Sequence, residues 1–368
     1  MELLETLRQS ATSPMPRLCH DIEGIGGTLK ARAQDFEVEE VPAYAPSGEG
    51  EHLYLWLEKT DMPAFALTRW LSESLGVRAD DIGCAGLKDA RAVTRQYVSV
   101  PKACEPRLAS LEGHPQVRLL HARGHTNKLK TGHLRGNRFR IRLTEVAPDA
   151  LGRAQQILAR LTDLGLPNSY GPQRFGHQGH TAVLGAQALG LGPQSGRRLG
   201  KSTLRLGLSA LQSTVFNACL RQRMARGLWQ QPLLGDVMQV RLSGGPFVVE
   251  DPARERARLD AHEVVLTGPM PGPKMRAATG EGLALETAVL ESLGLSWQTF
   301  AGPNKLMQGT RRAAVVWPEE VSVEAGDEAS LVVQFTLPKG AFATSLMNEL
   351  MGYPATSGEA PPATMARG

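Results

Sequence analysis

The segment Gly136–Leu143 reads GNRFRIRL, with Phe139, Ile141 and Leu143 alternating against Arg138, Arg140 and Arg142. Alternation of period two predicts a strand with one buried and one basic face, because successive side chains leave a strand on opposite sides. The pattern sits inside a longer basic stretch. From Gly113 to Thr144 there is no Asp or Glu, but there are eight Lys/Arg and four His; Leu164–Gly235 is again free of carboxylates, with eight more Arg/Lys. The rest of the chain holds 25 Lys/Arg against 37 Asp/Glu, so the net charge of +4 conceals two basic segments within an acidic remainder. Positive charge segregated in this way is the footprint of a polyanion partner. The alternative is a solvated basic surface with no partner.

At 368 residues the chain can bury a large core and is long enough for two domains. No run approaches the roughly 18 apolar residues of a membrane span. The opening residues, MELLETLRQSATSPMP, have early carboxylates and no apolar core, unlike a signal peptide. Cys19, Cys84, Cys104 and Cys219 are scattered, with no Cys-x-x-Cys pair. Reduced thiols in a cytoplasmic protein are therefore expected, rather than a disulfide framework or a zinc ribbon. His177 and His180 stand three apart without a third ligand nearby, so no metal is predicted.

Residues 1–15 read as loosely structured. Phe36 and Val38 share a face of a predicted strand over Asp35–Glu40, and His52–Lys59 is a second strand. A helix is predicted from Pro63 to Gly76 through Phe65, Leu67, Trp70, Leu71 and Leu75. Further helices are expected over 148–164, 204–226 and 281–293. Pro167–Gly176 reads as a shaped loop that presents aromatic and polar groups, and Leu266–Lys274 as a Gly/Pro-rich loop. A strand over Ala329–Leu337 breaks at Pro338-Lys339-Gly340 before a helix over 341–351 that carries Phe342. Lys339, Gly340 and that helix start could hold a phosphate. Strands and helices at both ends of the chain, with a helix-and-loop middle, predict an α+β protein.

One stretch bears chemistry. Gly83–Gln96 reads GCAGLKDARAVTRQ, and it breaks at Gly86 to present Lys88 and Asp89 between buried segments. A carboxylate on such a turn is held by rigid flanks and can face a cleft, as catalytic groups often do. It can equally serve as a cap for the next element. No Gly-x-Gly-x-x-Gly fingerprint accompanies it, which argues against a cofactor-dependent methyltransferase.

Four segments, with a fifth at the end of the chain, carry a resemblance. They are DFEVEE at Asp35–Glu40, AGLKDARAVTRQ at Ala85–Gln96, KLKTGHLRGNRFRIRL at Lys128–Leu143, PNSYGPQRFG at Pro167–Gly176 and LPKGAFATSLMNEL at Leu337–Leu350. In this order, over roughly residues 20 to 350, the chain resembles the TruD family of tRNA pseudouridine synthases. The resemblance implies a pseudouridine synthase fold, a mixed β-sheet flanked by helices, with an inserted family-specific α/β domain. The expected divisions are a flexible N-terminus over 1–20, a catalytic domain over 21–166 resumed over 317–351, the insert over 167–316, and a disordered tail over 352–368. The implied reaction is isomerisation of uridine to pseudouridine at position 13, in the D arm of tRNA, by a monomer without metal or cofactor.

By motif, Asp89 matches the family's catalytic aspartate, as a nucleophile at C1′ or C6 or in proton transfer after glycal formation. Lys88 becomes a charge partner that keeps it ionised. Phe36, Phe139, Tyr170 and Phe342 are expected around a flipped base, with Asn137 as its polar reader. On composition alone the phenylalanines would be core. Arg138, Arg140, Arg142, Arg174 and Lys339 are candidates for the RNA backbone. Two departures stand out: Ser169-Tyr170 where the family has Tyr-Phe, and Ala90 where it often has a basic residue. The alternative function is that of an RNA-binding protein which remodels tRNA with little catalysis.

Overall fold

The alternating segment lies at the centre of a nine-stranded mixed sheet. In this computed structural model, which describes residues 2–192, 199–302 and 305–352, the chain divides into two compact units. The sheet belongs to the unit made of Asp21–Asp163 with Pro318–Ala343 and the chain from Met347 onward. From one edge its strands run Glu319–Ala325, Leu331–Pro338, Leu134–Val146, Phe36–Pro42, Val93–Pro101, His52–Thr60 and Val117–His125. Neighbours are antiparallel except Phe36–Pro42 beside Val93–Pro101, which is parallel. Gly26–Leu29 and Gly83–Cys84 add short pairings on Leu134–Val146 and Val93–Pro101.

Register fixes what each face carries. Val38 lies opposite Phe139 and Thr94, Glu40 opposite Asn137, and Phe139 opposite Phe335. Paired residues share a face, so Phe36, Val38, Glu40, Asn137, Phe139 and Ile141 all lie on the inner one. Leu53, Leu55 and Leu57 carry it on, packed against Leu67, Leu71 and Leu75 of the helix Ala64–Leu75. Those three leucines recur every four residues along one side of the helix, and each fully buried Leu contributes about 1.5–3 kcal/mol. The helix ends where predicted: Gly76 adopts the left-handed conformation (φ 63°) and returns its N–H to the Ser72 carbonyl.

The other unit comprises Met1–His20, Leu164–Trp317 and Thr344–Leu346. Its 25-residue helix Lys201–Ala225 packs Leu208, Leu211, Val215 and Cys219 against Leu285 and Val289 of the helix Gly280–Ser292. A four-stranded antiparallel sheet, ordered Pro246–Val248, Val237–Val240, Val264–Met270, Thr310–Ala313, accompanies them.

Several expectations are corrected. Residues 1–20 are not a flexible terminus: Glu2–Thr12 is a helix, and its Leu7 is fully buried in the core of this unit. The stretch expected as a loop at 266–274 begins inside the strand Val264–Met270, all of whose residues are buried. Gly268 is there because the Phe216 ring lies against the backbone, where a Cβ would come within 2.7 Å of it. The last helix starts at Ala343 rather than residue 341, with Phe342 as its N-cap. The expected tail lies outside the described residues beyond Gly352.

Candidate active site

Asp89 sits in the loop between Gly83–Cys84 and Val93–Pro101. Its side chain is 44% exposed, and its carboxylate lies 3.6 Å from the Lys30 ammonium. Lys30 is itself buried, and its Nζ stands 3.9 Å above the centre of the Phe36 ring. Phe36 meets Phe139 edge-on at 6.1 Å, and Phe139 stacks on Phe335 at 5.2 Å. A continuous path of contacts thus runs from three buried aromatic rings through one lysine to one exposed carboxylate. Lys30 holds a left-handed backbone (φ 58°), which a residue with a Cβ adopts at a cost of about 1 kcal/mol. Backbone strain of this kind collects where a side chain must be aimed.

Lys88 does not partner Asp89. Its side chain turns inward to Glu40, Nζ to Oε2 3.1 Å, and both are almost fully buried. At this point of the loop the two successive side chains part, Lys88 inward and Asp89 outward. The pair has a place to fill. The strand Val93–Pro101 leaves Phe36–Pro42 after Arg95 and takes up Gly83–Cys84 at Val98. In the gap the Tyr97 amide donates to Glu40 Oε1 (3.4 Å). Burial raises the Glu40 carboxyl above its ordinary range, and Lys88 opposes this by charge and hydrogen bond. A third lysine, Lys59, donates to the carbonyls of Asp89 and Met62, each at 2.7 Å. Burial pushes its ammonium down to about 8, with Asp89 acting in the other direction.

Asn137 adjoins this cluster through its register with Glu40, and its amide oxygen is buried without a hydrogen-bond partner among the described residues. The same holds for Thr94 Oγ1 and Gln96 Oε1 on Val93–Pro101, across the strand Phe36–Pro42. Buried acceptors are normally satisfied, and three left open on one face suit a ligand that brings donors.

The arginines occupy the opposite, outer face, as the alternation predicts, but their charges are already engaged. Arg138 pairs with Glu39 (3.5 Å) and Glu320 (3.0 Å), and Arg140 with Glu37 (3.0 Å). Arg142 donates to Ser330 Oγ and the Asp327 carbonyl. Lys339 donates to the Gly132 carbonyl at 3.1 Å, and Phe342 is 41% exposed. Tyr170 and Arg174 belong to the other unit. There the Arg312 guanidinium lies 4.2 Å and that of Arg174 5.2 Å from the centre of the Tyr170 ring, and Asn217 holds the Tyr170 backbone through two hydrogen bonds. Arg174 is further tied to Ser213 and Ser209.

Sequence reading missed Lys30, Lys59 and Glu40. Two of these had a signal: Glu40 follows Phe36 and Val38 in period two, and Lys59 follows Leu53, Leu55 and Leu57. A charge in the next position of an apolar face requires a buried partner. Among the described residues, no group of three or more His, Cys, Asp or Glu is placed to hold a metal ion, and no helix is long and apolar enough to cross a membrane.

A family profile described as tRNA pseudouridine synthase D (TruD) matches residues 14–190 and 193–350. A protein of Anaeromyxobacter dehalogenans named tRNA pseudouridine synthase D is 44% identical over 350 residues, 94% of this chain and 97% of its own length. One of the same name from Thermus thermophilus is 43% identical over 337 residues, 91% of this chain and 92% of its own. The fold is also that of a Methanosarcina mazei structure described as a tRNA pseudouridine synthase D, with a TM-score of 0.74 at 23% identity over 96% of this chain and 99% of that one.

Proposed function

The chain belongs to the TruD family of tRNA pseudouridine synthases, and from that premise we propose a specific site and mechanism for it: isomerisation of the uridine at position 13, in the D arm of tRNA, with Asp89 as the catalytic carboxylate. The activity of the family is that of an isomerase, which converts uridine to pseudouridine in tRNA. What supports the assignment to Asp89 is the unbroken path Phe139–Phe36–Lys30–Asp89.

The reaction breaks the N1–C1′ bond, turns the base, forms C5–C1′, and exchanges protons so that C5 loses one and N1 gains one. It is balanced within one nucleotide. A uridine in a folded RNA must first leave its stack, at a cost of a few kcal/mol. A ring on which the base stacks offsets that cost by about 1–3 kcal/mol; Phe36 and Phe139 are buried behind Lys30, and Phe342, 41% exposed, is the expected ring that presents surface to a base. The open oxygen of Asn137 accepts the N3–H of the uracil, a donor that cytosine lacks at that position. Asp89 serves as nucleophile at C1′ or as the base in a glycal route, and in both Lys30 holds the carboxylate in one orientation. Lys88 and Glu40 act behind it by anchoring the loop.

The test is to treat an unmodified tRNA transcript with the protein and with Asp89→Asn, then map pseudouridine. Modification at position 13 by the parent, none by the variant, and equal tRNA binding by both is the expected result. Continued turnover by Asp89→Asn would remove the assignment. Binding with structural change in the tRNA but no pseudouridine from either protein would favour the remodelling alternative.

A further inference from the structure

The outer face of the sheet holds a second concentration of rings that the reaction does not use. At its centre Trp56 lies directly opposite Tyr97 on one neighbouring strand and His121 on the other. Ring centres stand 4.6 Å apart for Trp56–Tyr97 and 6.2 Å for the nearly parallel Trp56–His121, and the Tyr97 hydroxyl is 3.1 Å from His121 Nε2. One row along, buried Tyr54 and His125 form a floor with rings 4.6 Å apart, and Tyr44, 38% exposed, stacks on His125 at 5.1 Å. Three of the chain's five tyrosines therefore gather on one strip of one sheet face. The larger core of this unit lies on the other side; here a smaller cluster of Ala85, Leu129 and Leu134 covers Tyr54 and part of Tyr97, while Trp56, Tyr97, His121 and Tyr44 keep surface in solvent.

Charges of both signs border the strip, with carboxylates at Glu58 and, beside Gly124, at exposed Glu49, and cations on its edge strand. Its edge strand, Val117–His125, lies in the carboxylate-free segment. Glu58, one row away on the central strand, is engaged by Arg95 (2.8 Å) and Arg118 (2.9 Å). Arg123 is exposed and has no ion pair among the described residues, and it stands opposite Tyr54, one row from the rings. Aromatic rings in a row, His121 and Tyr44 exposed and Trp56 and Tyr97 half-buried, with unpaired guanidinium charge beside them match the chemistry of an unpaired nucleotide strand, whose bases stack on aromatic side chains while its phosphates meet cations.

We infer that the outer face built from Trp56, Tyr97, His121 and Tyr44, with Arg123 at its edge, is a stacking platform for unpaired nucleotides of the RNA, separate from the site that takes the target uridine. The inference rests on the reading of this chain as a tRNA-modifying enzyme but not on the role of Asp89. His121 fits the part: burial and the neighbouring Arg123 both lower its pKa, which favours the neutral ring that stacks over the cation that would pair with phosphate. The strip is also joined to the catalytic loop, since Ala85, which opens that loop, packs with Tyr54 and accepts the Gly132 amide at 2.7 Å.

The experiment uses the full chain and two readouts of binding. In the first, 4-thiouridine-substituted tRNA is crosslinked to the unaltered protein and the crosslinked peptides are mapped; peptides containing Trp56, Tyr97 or His121 are expected. In the second, a W56L/H121L double variant, with the buried Tyr54 and His125 left in place, is titrated with single-stranded oligouridine and with duplex RNA. Affinity for the single strand should fall about tenfold for each base that loses its ring, with a much smaller change for the duplex. Crosslinks confined to other parts of the chain would overturn the inference. So would a double variant that melts like the parent and binds oligouridine equally well. Both readouts are repeated with Asp89→Asn, whose pseudouridine formation on the same tRNA is mapped alongside, so that a failed catalytic assignment shows as persistent turnover while the platform result stands by itself.

Discussion

Two sets of basic side chains in the sheet unit make an instructive pair. Arg138, Arg140 and Arg142 form the most conspicuous charge pattern in the sequence, yet on the outer face each guanidinium has a partner: Glu39 and Glu320, Glu37, and the Asp327–Ser330 turn. Lys30, Lys59 and Lys88 lie far apart in sequence, where only Lys88 draws notice, as a partner for Asp89, but all three converge on one loop. Lys30 meets the Asp89 carboxylate, Lys59 its carbonyl, and Lys88 anchors the neighbouring residue to Glu40. Density of charge along the chain marks a face. Convergence of charge in space marks a site.

The comparison breaks most visibly at the buried pair. Lys88→Met should leave the Glu40 carboxyl without its cation in a dry position, and removing one partner of such a pair costs about 3–5 kcal/mol. Denaturant unfolding measures this, and adding Glu40→Leu to Lys88→Met should restore a substantial part of the loss. If the single variant unfolds at the same denaturant concentration as the parent, the pair does not hold the loop. Next in size is Lys30→Met. Loss of the ammonium that orients Asp89 should lower kcat on the order of a hundredfold, the scale of a misplaced reacting group, with little change in KM. An unaltered kcat with a raised KM would instead make Lys30 a binding residue.

How far the sequence foretold this arrangement follows from the range of the interactions. The strand at Gly136–Leu143 and the helix closed by Gly76 were legible because period and capping are local. Asp89 drew notice through the motif around it, and the loop that exposes it was legible from the break at Gly86. The neutralisation of Arg140 was not, because Glu37 lies 103 residues away and becomes its neighbour only through strand register. Lys30 was hidden for the same reason, and for a second: its aim depends on a left-handed backbone that nothing in LKAR announces. The buried strand at Val264–Met270 defied its Gly and Pro because the Phe216 ring takes the space beside Gly268. The N-terminal helix was missed because its stability comes from Leu7 in a distant core, not from its own polar composition.

A smaller effect belongs to Lys59. Its ammonium titrates near 8 in the folded protein against 10.5 for an exposed lysine. Between those values the unfolded chain binds more protons than the folded one, so stability gains from this group as pH rises through the window. Below about pH 8 the burial penalty is fully present. Melting of the parent should therefore improve relative to Lys59→Met as pH goes from 8 towards 10, and parallel profiles would mean that Lys59 is hydrated.

The smallest effect should be that of the arginines. Arg138 and Arg140 have side chains 49% and 47% exposed, and ion pairs at such positions contribute about 0–1 kcal/mol. A guanidinium already matched by carboxylates releases few counterions when RNA arrives, because the approaching phosphate must first displace Glu37 or Glu39. Arg140→Gln should thus leave the salt dependence of tRNA binding nearly parallel to that of the parent. The unpaired Arg123, changed to Gln, should reduce the slope by about one for the phosphate it meets. The contrast between the two variants, measured as log affinity against log salt on the same tRNA, decides which part of the outer face braces the sheet and which part meets RNA. Equal reductions in slope would show that the Glu37 and Glu39 pairings yield to phosphate, and that both arginines belong to the binding surface.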